Sequence, residues 1–459
     1  MSSICSMSSM GHISNMSDQR RVVVTSYGLI CPLGNGVDES FTNLVEGVSG
    51  ETFISRFDAS SFPAKVACQI REDIIDELQT EFVQYKKIFP REVATVPLND
   101  LYLLAALSEA IKIKTTTIKG PIPIVIGAEL SPIDFHWLYS YYTQRVIEKK
   151  TDADIALDVN SFDLRSPYKM LERIEQYFSK VTNAIPYGFS EKEVTSLACA
   201  SSTAAIIHAF RKIRRGDANC AIAGGTFAGI IPHMLMGFSL LDALSKNLTP
   251  GKASRPFDCK RDGFVLSEGA GVLVLEELQS AISRGATIYG EVMGGAITAD
   301  AFKMSDMDPS GQSQLMAMSN ALDDAKIEKE MVDLINTHGT STRINDQVES
   351  LAIASLFKER AAKIFISANK SALGHSIAAC GVIESIFTLK SLEHSIVPPI
   401  VNFEKTDVVS DLVLTSTLNY PAQKICDANI SIALKNSFAF GGSNCSLVFR
   451  KWNGNRTVR

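Results

Sequence analysis

No run of 18 or more apolar residues occurs in the chain, which excludes a membrane-spanning helix as its organising element. The opening MSSICSMSSMGHISNMSDQR also lacks the apolar core of a secretory signal, so residues 1–20 read as a flexible leader. Basic residues are not in excess. With 45 Lys and Arg against 50 Asp and Glu, the formal charge of −5 argues against a general nucleic-acid binder. Paired CxxC spacing is missing too. The nine cysteines, at 5, 31, 68, 199, 220, 259, 380, 426 and 445, form neither a disulfide framework nor a paired metal site. A reducing, cytoplasmic setting fits them best, and Cys5 and His12 read as bystanders. The glycines of GLICPLGNG miss the G-x-G-x-x-G spacing and lack the Lys-Ser/Thr of a phosphate loop, so no nucleotide site is indicated there.

What is present is an ordinary globular composition, 46% hydrophobic and 21% charged, over 459 residues. A repeated α/β alternation runs through it. Strands are expected at 21–24, 122–126, 219–225 and 264–276, a turn at 32–36, and helices at 37–45, 98–113 and 277–284. The pattern then repeats, with helices at 315–325, 346–357 and 377–389 and strands at 331–335, 363–366, 427–434 and 445–450. A soft boundary near 280–290 divides 21–285 from 286–459, and no Pro/Ser linker marks it, so the halves are expected to share an extensive interface. The interval 134–187 is rich in aromatics and charges without a recognisable mechanism. It reads as an elaboration covering the core or lining an interface, with His136 and Trp137 as packing residues.

The stretch VTSLACASSTAAIIHAF, 194–210, runs from a β-prone segment through a cysteine among small residues into a helical sequence. A thiol at that turn would face unpaired backbone N–H groups and the positive end of the helix, conditions that lower a cysteine pKa. Burial as a small hydrophobe is the competing reading of Cys199. Of only seven histidines, two lie in polar small-residue loops: His338 in NTHGTSTRIND, and His375 in NKSALGHSIAACG with Lys370 five residues upstream. Either alone is an ordinary hydrogen-bonder. Two such loops in the same half, with an ammonium and a candidate nucleophile, point to an active site.

In order along the chain stand ACASS, PFDCKRDGFVLSEGAGVLVLEE, NTHGTST, KSALGH followed by ACGVIE, and NSFAFGGSN. This succession resembles the β-ketoacyl-acyl-carrier-protein synthases, most closely the FabF-like, or type II, branch. The likeness extends from about 21 to 452 and takes in GLICPLG and RFD. The resemblance implies an α/β, thiolase-like fold: two similar halves, each a five-stranded mixed sheet covered by helices, layered α-β-α-β-α. It implies Cys199 as the acyl-accepting nucleophile, with His338 and His375 serving malonyl decarboxylation and condensation. It also implies Lys370 as the active-site lysine, with Glu384 in its network. Phe440 corresponds to a mobile gate. The N–H groups of Cys199 and Phe440 correspond to an oxyanion hole, and Phe238, Ala198 and Ala439 to the acyl-pocket region. The implied activity is that of a 3-oxoacyl-[acyl-carrier-protein] synthase, an acyltransferase of the EC 2.3.1 type. Its partners would be acyl and malonyl thioesters of a carrier protein, with no metal, nicotinamide or flavin. A homodimer is implied, and pairing with a related ketosynthase-like subunit is the alternative. Two further readings stand beside it, a specialised polyketide ketosynthase and the chain-length partner of a ketosynthase heterodimer. Such partners typically lose the nucleophile, which is intact here.

Four departures bear on substrate. Ala439 replaces the glycine usual in NSFGFGG, where an added Cβ restricts the backbone. The family's GP pair upstream of the nucleophile is absent from YGFSEKEVTS, which has Glu191 and Lys192. Cys380 replaces a small residue. The docking basics are reduced to Arg91 with Lys86 and Lys87, and Asp242 stands at an arginine position. Arg211, Lys212, Arg214 and Arg215 form either a substitute patch for an acidic carrier helix or a solvated helix end.

Overall fold

Ten strands form two sets of five with the same wiring. The computed structural model describes residues 20–89, 96–111, 122–129, 167–182, 185, 188–406 and 418–454. The first set is β1 (Val22–Cys31), β2 (Pro123–Gly127), β3 (Glu191–Thr195), β4 (Cys220–Phe227) and β5 (Gly269–Glu277). The second is β6 (Gly290–Ala299), β7 (Leu334–Asn336), β8 (Phe365–Ser367), β9 (Ile432–Phe438) and β10 (Ser443–Arg450). The spatial order β1-β5-β4-β2-β3 recurs as β6-β10-β9-β7-β8. In each set the first three strands pair antiparallel and the remaining pairs are parallel. The expectation of two separate sheets changes at one seam. There β1 pairs antiparallel with β6, Val22 to Val24 against Val292 to Gly290, and joins the sets edge to edge.

Six helices follow the same repeat: α1 (Leu98–Ile111), α2 (Pro167–Tyr177), α3 (Ser201–Arg215), α4 (Gln312–Ala325), α5 (Arg343–Phe357) and α6 (Cys380–His394). Outer helices α1 and α4 lie on the first two strands of their respective sheets, while α3 and α6 pack on each other and on both sheets. That gives the layered thiolase-like arrangement. Every residue of α6 from Cys380 to Leu392 is buried, as a central helix requires. Side chains such as Ile383, Ile386 and Leu389 each contribute roughly 1.5–3 kcal/mol by burial. Helix α3 ends at Gly216, whose φ of 89° provides the left-handed cap.

Glycine makes the central crossing close. A Cβ on Gly127 would lie 2.3 Å from the Ser202 nitrogen, and one on Gly381 would lie 2.1 Å from Thr203 Oγ1. Gly381→Ala is therefore expected to destabilise the chain by about 2–4 kcal/mol. Gly237→Ala, in the helix Pro232–Leu240 with nothing within 4 Å of the added carbon, should be neutral or slightly stabilising. Paired thermal melts check this, and equal melting temperatures for the two variants would remove the argument.

Several expected boundaries move. Residues 329–331 form a 3₁₀ turn and β7 begins only at Leu334. The strand expected from 427 begins at Ile432, and the helix expected from 377 opens as a 3₁₀ turn, Ile377–Ala379. Strand β6 was not expected, because Gly294 and Gly295 interrupt its apolar alternation. Within 134–187, α2 occupies the place in its half that α5 holds in the other, so this part is framework rather than elaboration. His136, Trp137, Arg91, Cys5, His12 and the leader before residue 20 lie outside the described residues. Among the described residues no helix is long and apolar enough to cross a membrane.

Candidate active site

Cys199 sits in a 3₁₀ turn, Ala198–Ala200, between the end of β3 and the first turn of α3. Ala198 is held at φ 46°, a left-handed conformation unusual for a residue with a Cβ. Ser201 closes the turn, its Oγ accepting from the Leu197 N–H at 2.8 Å and donating to the Ala198 carbonyl at 2.6 Å. The second half repeats the device. Ile377, at φ 35°, opens the 3₁₀ turn Ile377–Ala379 ahead of α6, and the two turns pack together. Cys199 and Ala378 thus occupy equivalent places.

The histidines come from loops that leave the second sheet. His338 follows β7, and the Glu349 carboxylate of α5 accepts from the backbone N–H groups of His338 and Gly339, both at 2.9 Å. His375 follows the short helix Lys370–Leu373. Its Nε2 is 3.1 Å from Cys199 Sγ, and the two imidazoles are 5.2 Å apart, nearly perpendicular. One sulfur and one nitrogen from each histidine lie within 4.8 Å of one another, all buried. Phe264 meets the His375 ring edge-on at 5.2 Å, and Phe238 meets Phe264 in the same way at 5.2 Å.

The electrostatics depart from expectation at the thiol. Burial, with a smaller contribution from Cys380, pushes the Cys199 thiol well up from its ordinary value. Lys370 and the Phe440 backbone N–H oppose this without reversing it. A helix terminus was expected to lower the thiol's pKa, but desolvation of a fully enclosed thiolate outweighs it. Burial and the positive charges of Lys370 and Lys435 hold both imidazoles well below the usual histidine range. The free site therefore pairs a neutral thiol with a neutral imidazole.

Two models of one family match parts of both halves. The beta-ketoacyl synthase N-terminal domain matches residues 19–128 and 192–281, and the C-terminal domain matches 289–404. The chain belongs to the β-ketoacyl synthase family. It is 36% identical over 441 residues to 3-oxoacyl-[acyl-carrier-protein] synthase 2 of Synechocystis sp., covering 95% of this chain and 99% of that one. It is 34% identical to the chloroplastic 3-oxoacyl-[acyl-carrier-protein] synthase II of Arabidopsis thaliana, over 94% of this chain and 76% of the other. Among solved structures it resembles a type II PKS acyl-carrier protein complex with its ketosynthase bound to the hexaketide, at TM-score 0.77 and 29% identity. That match covers 95% of this chain and 100% of the other. The ishigamide ketosynthase/chain length factor gives a TM-score of 0.76 at 28% identity, over 95% and 100%.

Against that family background, the structure brings together most of the residues singled out in the sequence. Lys370 Nζ lies 2.5 Å from Glu384 Oε1, both fully buried. Phe440 follows β9, and its N–H faces the Cys199 sulfur. Ala439 is buried and has no left-handed φ, so its Cβ imposes no strain in this conformation. The unusual angles fall instead on Gly441 and Gly442, at 80° and 79°. Ala198 and Phe238 are partly buried against the core around Cys199. Cys380 Sγ lies 3.3 Å from the Cys199 carbonyl oxygen, and burial pushes its thiol up to about 11. Two further residues belong to the site and went unremarked in the sequence: Glu349 and Lys435. The Lys435 Nζ lies 2.8 Å from the other Glu384 oxygen, Oε2. The only sequence signal for Lys435 is a charge inside the apolar run of β9.

Proposed function

We propose that this family member is a 3-oxoacyl-[acyl-carrier-protein] synthase that loads an acyl chain on Cys199 and condenses it with malonyl carrier protein. The observation that carries this is a cysteine within 3.1 Å of one of two adjoining buried imidazoles. His375 Nε2 accepts the thiol proton as Sγ attacks the acyl-carrier thioester. The oxyanion forms toward the N–H groups of Cys199 and Phe440, and the carrier thiol leaves with the proton returned. Malonyl carrier then loses its carboxylate as CO2. The bonding pair passes to the α-carbon and the thioester oxygen, where neutral His338 and His375, the latter now in its Nε2–H tautomer, donate N–H bonds to the enolate. The α-carbon attacks the Cys199 thioester, and collapse expels the cysteine sulfur and a 3-oxoacyl thioester two carbons longer. Phe238 lies at the far side of Phe264 from His375, a suitable wall for the acyl chain. The two functional halves are 21–285, with the nucleophile, and 286–459, with the histidines. A reducing, cytoplasmic setting belongs to the same reading.

Incubation with a panel of acyl carriers and malonyl carrier, followed by mass spectrometry, tests the activity. A 3-oxoacyl product two carbons longer, with CO2 released, is expected; intact acyl and malonyl carriers after prolonged incubation would overturn it.

One observation favours a specialised polyketide ketosynthase over bulk fatty-acid synthesis. Asp242, at the expected docking arginine, is exposed and paired with Lys246 at 2.6 Å, so an acidic side chain stands where a docking cation was expected. Nor is the substitute patch open: Arg214 is paired with Asp324, and Lys212 with Glu191 and Glu193. Repeated condensation on one carrier without keto reduction would mark the polyketide reading. The assembly is proposed to be a homodimer. Light scattering at micromolar concentration should give about twice the 49.9 kDa chain mass, and a fully active monomer would reject the pairing.

A further inference from the structure

Lys435 lies in β9 with its side chain fully buried against α6. Along the strand, Lys435 and Ser437 share one face, while Asn436 turns to the other and reaches Glu349 at 3.2 Å. Lys435 Nζ bonds to the Asn436 carbonyl, donates to Ser437 Oγ at 3.2 Å, and makes a charge contact with Glu384 Oε2 at 2.8 Å. Ser437 Oγ in turn meets Thr203 Oγ1 of α3 at 2.7 Å. A polar chain therefore runs from Glu384 through Lys435 to the helix that follows Cys199. Lys370 and Lys435 bracket one carboxylate, and the exposure of all three side chains is 1% or less. Two ammonium groups thus face the single carboxylate of Glu384, and the next buried carboxylate, Glu349, acts on Lys370 from α5.

A buried charge without a partner is costly, and replacing such a group by an apolar side chain is often neutral or stabilising. Stability alone gives no reason for a second lysine here. We propose that Lys435 is a positioning residue of the condensation site: it sets a second ammonium against Glu384 and so adds positive charge behind the imidazole pair. This rests on the reading of Cys199 as the acylated group.

The titratable groups around the two imidazoles come from several elements. They are Cys199 ahead of α3, Lys370 in its short helix, Cys380 and Glu384 on α6, Glu349 on α5, and Lys435 on β9. Lys370 and Lys435 both disfavour protonation of His338 and His375, in addition to burial. His375 must be unprotonated to accept the Cys199 proton, so a charge that keeps it neutral extends loading to lower pH. Removing Lys435 takes away one of the two positive charges that act on the imidazoles. The imidazoles then protonate more readily, and the acid limb of loading moves to higher pH.

The test compares the wild type with Lys435→Met, which keeps length and loses charge, and with Lys435→Arg, which keeps charge. Starter acylation of Cys199 is followed by intact mass against pH, and imidazole protonation by NMR of labelled histidine. The acid limb in Lys435→Met should rise by about one pH unit, with loading about tenfold slower on the acid side. Lys435→Arg should stay close to wild type. A folded Lys435→Met with unmoved imidazole titrations and an unmoved limb overturns the inference. Should neither variant fold, the wild type decides: His338 or His375 titrating near the ordinary histidine value overturns it equally. Imidazole titration does not depend on acylation. A wild type that never acylates Cys199 at any pH defeats the underlying reading, whereas unmoved titrations defeat the role of Lys435 alone.

Discussion

Cys199→Ala is expected to take up no acyl group and to lose condensation by a factor on the order of 10⁴–10⁶. The side chain supplies the only sulfur within reach of His375 Nε2 among the described residues that is oriented as a nucleophile, at 3.1 Å. Nearby Cys380 directs its sulfur at the Cys199 carbonyl oxygen and is no substitute. Alanine fits the turn without strain beyond that already present, since its equivalent in the other half, Ala378, is alanine. The variant should therefore fold like wild type. Intact-protein mass spectrometry with peptide mapping reads the result. A Cys199→Ala protein that still labels on the same peptide and elongates normally would sink the assignment.

The second large effect separates the histidines. Each of His338→Ala and His375→Ala is expected to slow CO2 release from malonyl carrier by about 10²–10³, the loss typical of one well-aimed donor to a developing oxyanion. Starter loading should distinguish them. The helix-end position of Cys199 in the sequence would by itself favour the thiolate and leave loading little need of a base. The buried thiol instead sits well above its ordinary value and against His375. Loading should thus fall sharply in His375→Ala and stay close to wild type in His338→Ala. Radiolabelled malonyl carrier and parallel acylation measurements check both halves of this. Equal loading by the two variants would remove His375 as the proton acceptor; intact decarboxylation in both would remove the pair from malonyl chemistry.

These effects show which parts of the site the sequence could disclose. Cys199, His338 and His375 stand in loops of small residues at strand ends, where a chemical side chain has no packing reason to be. Glu349 and Lys435 were hidden by their settings. Glu349 reads as a surface charge on an amphipathic helix until the loop after β7 brings the N–H groups of His338 and Gly339 onto it. Lys435 reads as a solvent-facing interruption of a strand until α6 covers it. The thiol's shift was misjudged for the same reason, since helix-end position is local but depth is not. Of the fold, long apolar segments such as α1, β4 and β5 were evident. The seam between β1 and β6 was not, because Gly294 and Gly295 erase the alternation of β6.

The equivalence of Cys199 and Ala378 has a genetic consequence. The two halves repeat one wiring but not one chemistry: one carries a sulfur at its turn, and the other supplies the imidazoles from its loops. Neither half holds the full set of groups by itself, so a gene split between β5 and β6 would encode two products that bring the sulfur and the imidazoles together only on reassociation. Selection must act on the joined pair.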